Sequence, residues 1–486
     1  MISKVSVACH RIDIKPAHDV LCRGLDIRRN GERIGHDSDS PKKVSEVNDH
    51  MDEGCNACAG SESVDSNQGS INDDPRTSAH KRFHYCWVVS AACTTAIFIC
   101  IGLVTNGFSM YLPYIVESGI SDSDMSIVVN IRGAISLVSM LLVHRFYHLV
   151  SARVGIFIAC LCTAAAYLLY GMAGGFPMYV AGSVLTGISY GLGSMIIISE
   201  VLRRWFAKSF NLSVGMAVAG TGVATIIMPL IVVRAVESFG LSTSFIAEAG
   251  LIFLLSVIVL LLIRDSPEEK GTIPYGTDEG YEPEAKVVYR GKTDLPRPIW
   301  IRFGFICFVM GCIGGPGLVF LSMLFESTGS SAETAAISIS IIGVIMTVNK
   351  VAIGRFIDKM GTCHGILLFG TILIVGLFLT LFLTEGDMVR YIVIVLTGIG
   401  FAMMMVCPAS FAKDIALPGQ YFDTVRGLEI AYVFGSFIFA LIPGTLDTLT
   451  GSYVISYVIM GVMLIVSLTL MVAYYRKHPK KDAATV

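Results

Sequence analysis

The run from Ala335 to Gly361 reads AAISISIIGVIMTVNKVAIGRFIDKMG, apolar through its first half and interrupted by one lysine, Lys350. About 20 apolar residues suffice to cross the hydrocarbon core of a bilayer as a helix, in which every backbone polar group bonds within its own segment. The run therefore predicts a membrane span. Lys350 comes four residues before Gly354, close to the expected end of that span, and two readings follow. Its ammonium either snorkels to the headgroups or faces a water-filled path through the protein. The residues Gly354-Arg355-Phe356-Ile357-Asp358-Lys359-Met360-Gly361 carry glycines at both ends and an acid beside bases, which predicts a tight turn into a further span.

The rest of the chain repeats this pattern. Of 486 residues, 53% are hydrophobic and only 15% charged, far more apolar than a soluble domain. The expected fold is an all-α membrane protein of twelve transmembrane helices in two bundles of six. The first six spans fall at about 85–113, 124–146, 153–174, 177–202, 211–236 and 242–264, and the second six at about 299–325, 332–356, 363–384, 388–412, 424–446 and 453–475. The expected domains are a disordered cytoplasmic tail (1–82), an N-terminal bundle (83–264), a cytoplasmic linker (265–297), a C-terminal bundle (298–476) and a short tail (477–486). Thirteen cysteines lie mostly inside apolar spans, where they act as small hydrophobes. Cys55 and Cys58 have half the spacing of a zinc site and no second pair, so no metal is expected.

Lysine and arginine concentrate in alternate loops. Arg145, Arg153, Arg203, Arg204, Lys208, Arg355, Lys359, Lys413 and Arg426 mark one side, with Arg476 and Lys477 after the last span; Glu117, Asp122, Asp124, Glu326, Glu333, Glu385 and Asp387 mark the other. By the positive-inside bias both termini are cytoplasmic, in a multi-pass protein of the cell membrane. Basic residues form no continuous face, which excludes a nucleic-acid partner. No phosphate-cradling loop, metalloprotease motif or other catalytic constellation is visible, so neither an enzyme nor a cofactor is expected.

Arg132 lies near the middle of the second span, where a charge costs roughly 2.5–3.5 kcal/mol and calls for a cavity or a counter-ion. Ser136 and Ser139 extend a polar stripe on the same helical face. The guanidinium fork suits a carboxylate, either a substrate's or one of the chain's own. Four acids are candidate partners or proton carriers: Glu200, which precedes Arg204 by one turn, Glu248, Glu429 just inside span 11, and Asp358 in the predicted turn. Gly182, Gly187, Gly191 and Gly193 should let span 4 pack closely. Gly311, Gly314, Gly315, Pro316 and Gly317 should break span 7, and that break is expected to line the cavity.

The stretch Gly354 to Gly361 resembles the loop between helices 8 and 9 of the major facilitator superfamily, which implies a gating role for Gly354, Arg355, Asp358, Lys359 and Gly361. Trp205 to Gly222, with Phe206, Lys208, Gly215 and Gly220, is similar to the entry to helix 5 in monocarboxylate porters and oxalate/formate antiporters, and Gly444 to Tyr453 resembles their link from helix 11 to helix 12. On this resemblance Lys350 falls where the porters have a substrate-pairing arginine, Met346 where they have an acid, and Asn106 near their helix-1 lysine. The implied function is secondary active transport of a small organic anion, a mono- or dicarboxylate, by alternating access, with Arg132, Lys350, Ser136 and Asn106 as the binding residues. The implied partners are the substrate, a coupling ion and the lipid bilayer; the oligomeric state stays open and is compatible with a monomer. An exporter of neutral or cationic compounds, or a membrane sensor that no longer transports, fits the same residues. Two short matches, Arg145-Phe146 with Arg355-Phe356 and Phe206-Ala207-Lys208 with Phe411-Ala412-Lys413, hint at a duplicated bundle.

Overall fold

The computed structural model describes residues 84–277 and 293–478. The 1–82 tail with Cys55 and Cys58, the middle of the linker and most of the 477–486 tail lie outside them. Helices α1 (Cys86–Glu117), α2 (Asp122–Leu149), α3 (Ala152–Gly171), α4 (Phe176–Trp205), α5 (Phe210–Phe239) and α6 (Leu241–Leu262) make the first half. The second half holds α7 (Arg297–Val319, continued by Leu321–Ser327), α8 (Ala332–Met360), α9 (Thr362–Glu385), α10 (Asp387–Phe401 and Cys407–Ile415), α11 (Tyr421–Thr450) and α12 (Val454–Lys477). Eleven of these are long and apolar enough to cross a membrane. The exception is α10, whose longer piece has only 15 residues.

Local sequence sets the helix ends. Ser121 caps α2 by accepting from the Asp124 N–H, and Ser331 caps α8 by accepting from the Thr334 N–H. Left-handed Gly119 (φ +104°) and Gly329 (φ +94°) turn the chain into these two helices. The turn expected over Gly354–Gly361 is corrected here: α8 continues through Gly354, Arg355, Asp358 and Lys359 to Met360, and the chain reverses only at Gly361, at φ +82°. A glycine inside a helix costs only about 1 kcal/mol, and the missing Cβ of Gly354 is used by the Asn211 backbone that packs over it. Lys350 is thus ten residues from the end of α8, about 15 Å along the axis, and is 2% exposed. Snorkelling is ruled out.

Within each half the helices pack through missing side chains. Gly187 and Gly191 of α4 lie against the α2 backbone at Arg132 and Ser136, Gly182 takes the Tyr170 ring, and Gly193 meets Cys100, as the spacing of these glycines predicts. Between the halves, α5 and α8 run together along most of their length. Gly215 faces the Lys350 backbone, Gly222 faces Thr347, and Gly354 closes the seam on Asn211. The remaining contacts are sparser: α4 meets α10 and α11, and α2 meets α11, where Gly133 faces the Phe437 ring and the Tyr147 and Phe422 ring centres are 6.4 Å apart.

Four helices are interrupted, α4, α7, α10 and α11 (the last at Ala440 and Leu441), and α1 is widened. Residues Phe98–Gly107 of α1 form a π-helix. The α7 helix breaks at Gly315 as its composition predicts, but the break packs on α11 and α12 rather than on the cavity described below: Gly315 meets Ser436, and Tyr457 donates to the Gly317 carbonyl at 2.9 Å. The breaks in α4 at Gly193–Ser194 and in α10 at Ala402–Val406 were not anticipated. Pro408 accounts for the second, because its ring nitrogen cannot bond the Met404 carbonyl.

Candidate functional site between the two halves

The breaks in α4 and α10 meet at the centre of the molecule. Ser194 and Met195 at the α4 break, Tyr190 one turn earlier, and Met405 in the α10 break enclose a cavity of about 10 Å³, enough for a single water. Ile101 from the π-helical part of α1, Met140 of α2, and Glu429 and Tyr432 of α11 complete its wall. Both second pieces, Met195–Trp205 and Cys407–Ile415, begin here, and both first pieces, Phe176–Leu192 and Asp387–Phe401, end here, so opposite helix-dipole ends meet at the two breaks. Irregular backbone at membrane depth persists where protein or a cavity satisfies it.

None of the four expected binding residues, Arg132, Lys350, Asn106 and Ser136, is among those lining this space, and each takes up a definite partner of its own. Arg132, partly buried, donates from a guanidinium nitrogen to the Val104 carbonyl at 2.6 Å, in the widened stretch of α1. Tyr167 donates to the adjacent Leu103 carbonyl at 2.9 Å. Tyr167, Tyr170 and Tyr190 are the electrostatic neighbours of Arg132, and Tyr190 is in turn a neighbour of Glu429. Lys350 Nζ donates to Thr221 Oγ1 at 2.7 Å, while Asn106 Nδ2 donates to Thr225 Oγ1 at 2.7 Å and to the Thr221 carbonyl at 3.3 Å. Lys350 and Asn106 are therefore joined through Thr221 of α5, three helices meeting at one threonine. Ser136 is 4% exposed, bonded to the Gly133 carbonyl and packed against α4, apart from this cluster.

Among the described residues, no carboxylate lies within ion-pair distance of Arg132 or Lys350; the ion pairs of Glu200 with Arg203 and Arg204, and of Asp387 with Arg390, are elsewhere. Glu248 accepts from Tyr111 at 2.7 Å inside an aromatic cluster with Phe245. Glu429 sits two turns inside α11 rather than at its edge, is 6% exposed, and its Oε1 has no hydrogen-bond partner. Sequence reasoning placed it too near the surface because the polar residues ahead of it, Asp423 and Thr424, are buried between the halves instead of lying outside the span.

The Arg/Lys-rich end of the molecule is closed by polar contacts across the halves. Asp358 accepts from the backbone N–H groups of Asn211 and Leu212 and from Asn211 Nδ2, at 2.8–3.1 Å, which caps the N-terminus of α5 with a carboxylate. Asn211 Oδ1 accepts from Ser410 of α10, Lys413 lies 4.8 Å from the Phe210 ring centre, and Arg203 lies 5.2 Å from that of Tyr421. Gly361 forms the turn beyond, while Arg355 and Lys359 lie on the last two turns of α8. Phe206 and Lys208 hold the start of the linker: Phe206 pairs with Tyr275, whose carbonyl accepts the Ala207 and Lys208 N–H groups. Gly215 and Gly220 pack on α8 and on Thr94 of α1.

Residues 94–428, most of the helical chain, match the family model of the Major Facilitator Superfamily. The chain belongs to the major facilitator superfamily. Among curated proteins it is 24% identical to the probable transporter MCH2 of Saccharomyces cerevisiae over 264 residues, 53% of this chain and 54% of the relative. It is also 24% identical to monocarboxylate transporter 12 of Mus musculus, over 56% of this chain and 59% of that one. The chain thus spans about half the length of the curated relatives it matches. Among solved structures it resembles the human organic anion transporter MFSD10 (TM-score 0.57, 14% identity, covering 80% of this chain and 98% of that one). It likewise resembles FucP in the outward conformation (TM-score 0.62, 13% identity, 81% and 99%). These likenesses show the twelve-helix fold of the superfamily.

A duplication typical of such transporters is written more clearly than the short matches suggested. Gly119, Gly175 and Gly240 recur as Gly329, Gly386 and Gly451 at a nearly constant offset, each at a helix boundary; Gly175 and Gly386 have similar φ and ψ, while Gly240 and Gly451 share a positive φ and differ in ψ. The capping Ser121 and Ser331 and the Arg145-Phe146 and Arg355-Phe356 pairs keep one register between α2 and α8. In that register Lys350 is the counterpart of Met140, which lines the cavity, and Ile342 is the counterpart of Arg132.

Proposed function

We propose that this transporter carries a small organic anion, a mono- or dicarboxylate, by alternating access of its two halves around the central cavity. One observation supports the cargo above all: Arg132 and Lys350 hold two charges inside the bundle with no carboxylate to neutralise either among the described residues. Buried cations are retained where an anion compensates them. Asn106 and Thr221 orient the Lys350 ammonium, and Ser136 holds α2 at the distance α4 requires. In this reading 83–264 and 298–476 are the two rocking bodies, the Arg/Lys-rich end faces the cytoplasm in the cell membrane, and Asp358 is the latch that keeps that end shut. The names of the relatives, monocarboxylate and organic anion transporters, agree with the assignment.

The test is uptake into proteoliposomes containing the full chain. Arg132→Gln and Lys350→Gln should each lower uptake of the carboxylate identified by a thermal-shift screen by about tenfold or more, with unchanged membrane insertion. Undiminished uptake in both variants, or competition by neutral and cationic compounds alone, would eliminate an anionic cargo.

A further inference from the structure

The anion reading leaves two buried carboxylates unused, Glu248, which accepts from Tyr111, and Glu429. Glu429 lines the central cavity, is more than nine-tenths buried, and has an Oε1 that meets no donor. Leaving a buried carboxylate oxygen without a donor costs about 1–3 kcal/mol or more, so such a group persists where something else completes it. Its surroundings supply no cation: the titratable neighbours are Tyr190 on α4, Tyr421 and Tyr432 on its own helix, and Cys307 of α7, with Cys407 of α10 beside Tyr432. The rest of the wall is Ile101, Met140, Met195 and Met405, with Ser194, whose hydroxyl donates to the Gly191 carbonyl. Arg132 belongs to the first half and Glu429 to the second, so a fixed positive group and a carboxyl come from opposite halves.

We propose that Glu429 receives a protonated amine, so that the cargo is a zwitterion carrying an ammonium beside its carboxylate. This inference rests on the anion reading and sharpens it. The carboxylate is drawn to Arg132 on the first half and the ammonium to Glu429 on the second. A cargo held at both points also ties its own binding to closure. A plain carboxylate would leave Glu429 without a partner, and a plain amine would leave Arg132 and Lys350 so. Specificity of this kind is large, since a site built to bond an N–H disfavours the analogue that lacks it.

Matched sets decide the matter in proteoliposomes holding the full chain: alanine, propionate and ethylamine, then phenylalanine, 3-phenylpropionate and phenethylamine. The expected result is uptake of a zwitterion in preference to both of its truncated analogues, and a fall of about tenfold or more in that preference in Glu429→Gln. The wild-type comparison stands on its own if the variant does not fold. Uptake of the carboxylates with exclusion of both zwitterions overturns the proposal and leaves the anion reading intact; uptake of the amines alone overturns both. Glu429→Gln that keeps the zwitterion preference but abolishes a pH dependence of uptake makes Glu429 a proton carrier and also overturns it, as does the absence of zwitterion uptake in every set.

Discussion

Lys350 Nζ has three protons to place, and the structure gives it one protein acceptor, Thr221 Oγ1. Thr221→Val removes that acceptor and leaves an ammonium in a dry seam, which should cost about 1–3 kcal/mol of stability and lower the thermal midpoint of the detergent-solubilised protein. Adding Lys350→Met should restore the midpoint, because the charge and its unmet demand go together, while uptake stays lost. A double variant that regains transport would break the link between this lysine and the cargo. At this scale the sequence was legible wherever a charge stands in an apolar run: Arg132 and Lys350 announce themselves. Glu429 was visible too, but its depth was not, since hydropathy measures affinity for lipid and the helix ahead of Glu429 is buried against protein.

Helix ends and breaks carry the next level. The residues Gly354 to Lys359 look like a turn because they are polar and glycine-bearing, yet they continue α8 by using that polarity against the start of α5. Position in the fold, not composition, decides between the two. Asp358→Asn keeps one acceptor but removes the charge from the α5 N-terminus, a loss of about 0.5–1 kcal/mol. The expected consequence is faster amide exchange, by about twofold to fivefold, at Asn211 and Leu212, whose N–H groups the carboxylate holds. Unaltered exchange at both would show that the latch is held by the Ser410 and Lys413 contacts instead. The α10 break had a usable signal in Pro408, whereas Gly193 reads equally well as a packing glycine and gave no hint of the break in α4.

For the molecule as a whole, twelve spans and their order were readable because lipid imposes one rule on every segment: bond within the helix and be apolar for about 20 residues. Which faces meet was not readable, since small residues mark every close seam alike and only the coordinates show that α5 and α8 share the long one. The shorter α2–α11 contact should part during transport, together with the Asp358 latch at the same end. A disulfide between Tyr147→Cys and Phe422→Cys, in a background without other reactive thiols, should stop uptake, and reduction should restore it; uninterrupted uptake in the oxidised protein would mean that this end stays shut throughout the cycle. The matching glycines and caps of the two halves have a historical consequence. A bundle of six that met its own twin across a two-fold axis would have had to place every ionic group twice, one on each side. Joined in one chain, the copies differ, one with Lys350 where its sibling has Met140 and the other with Arg132 where its sibling has Ile342. Fusion is what made a lopsided interior possible.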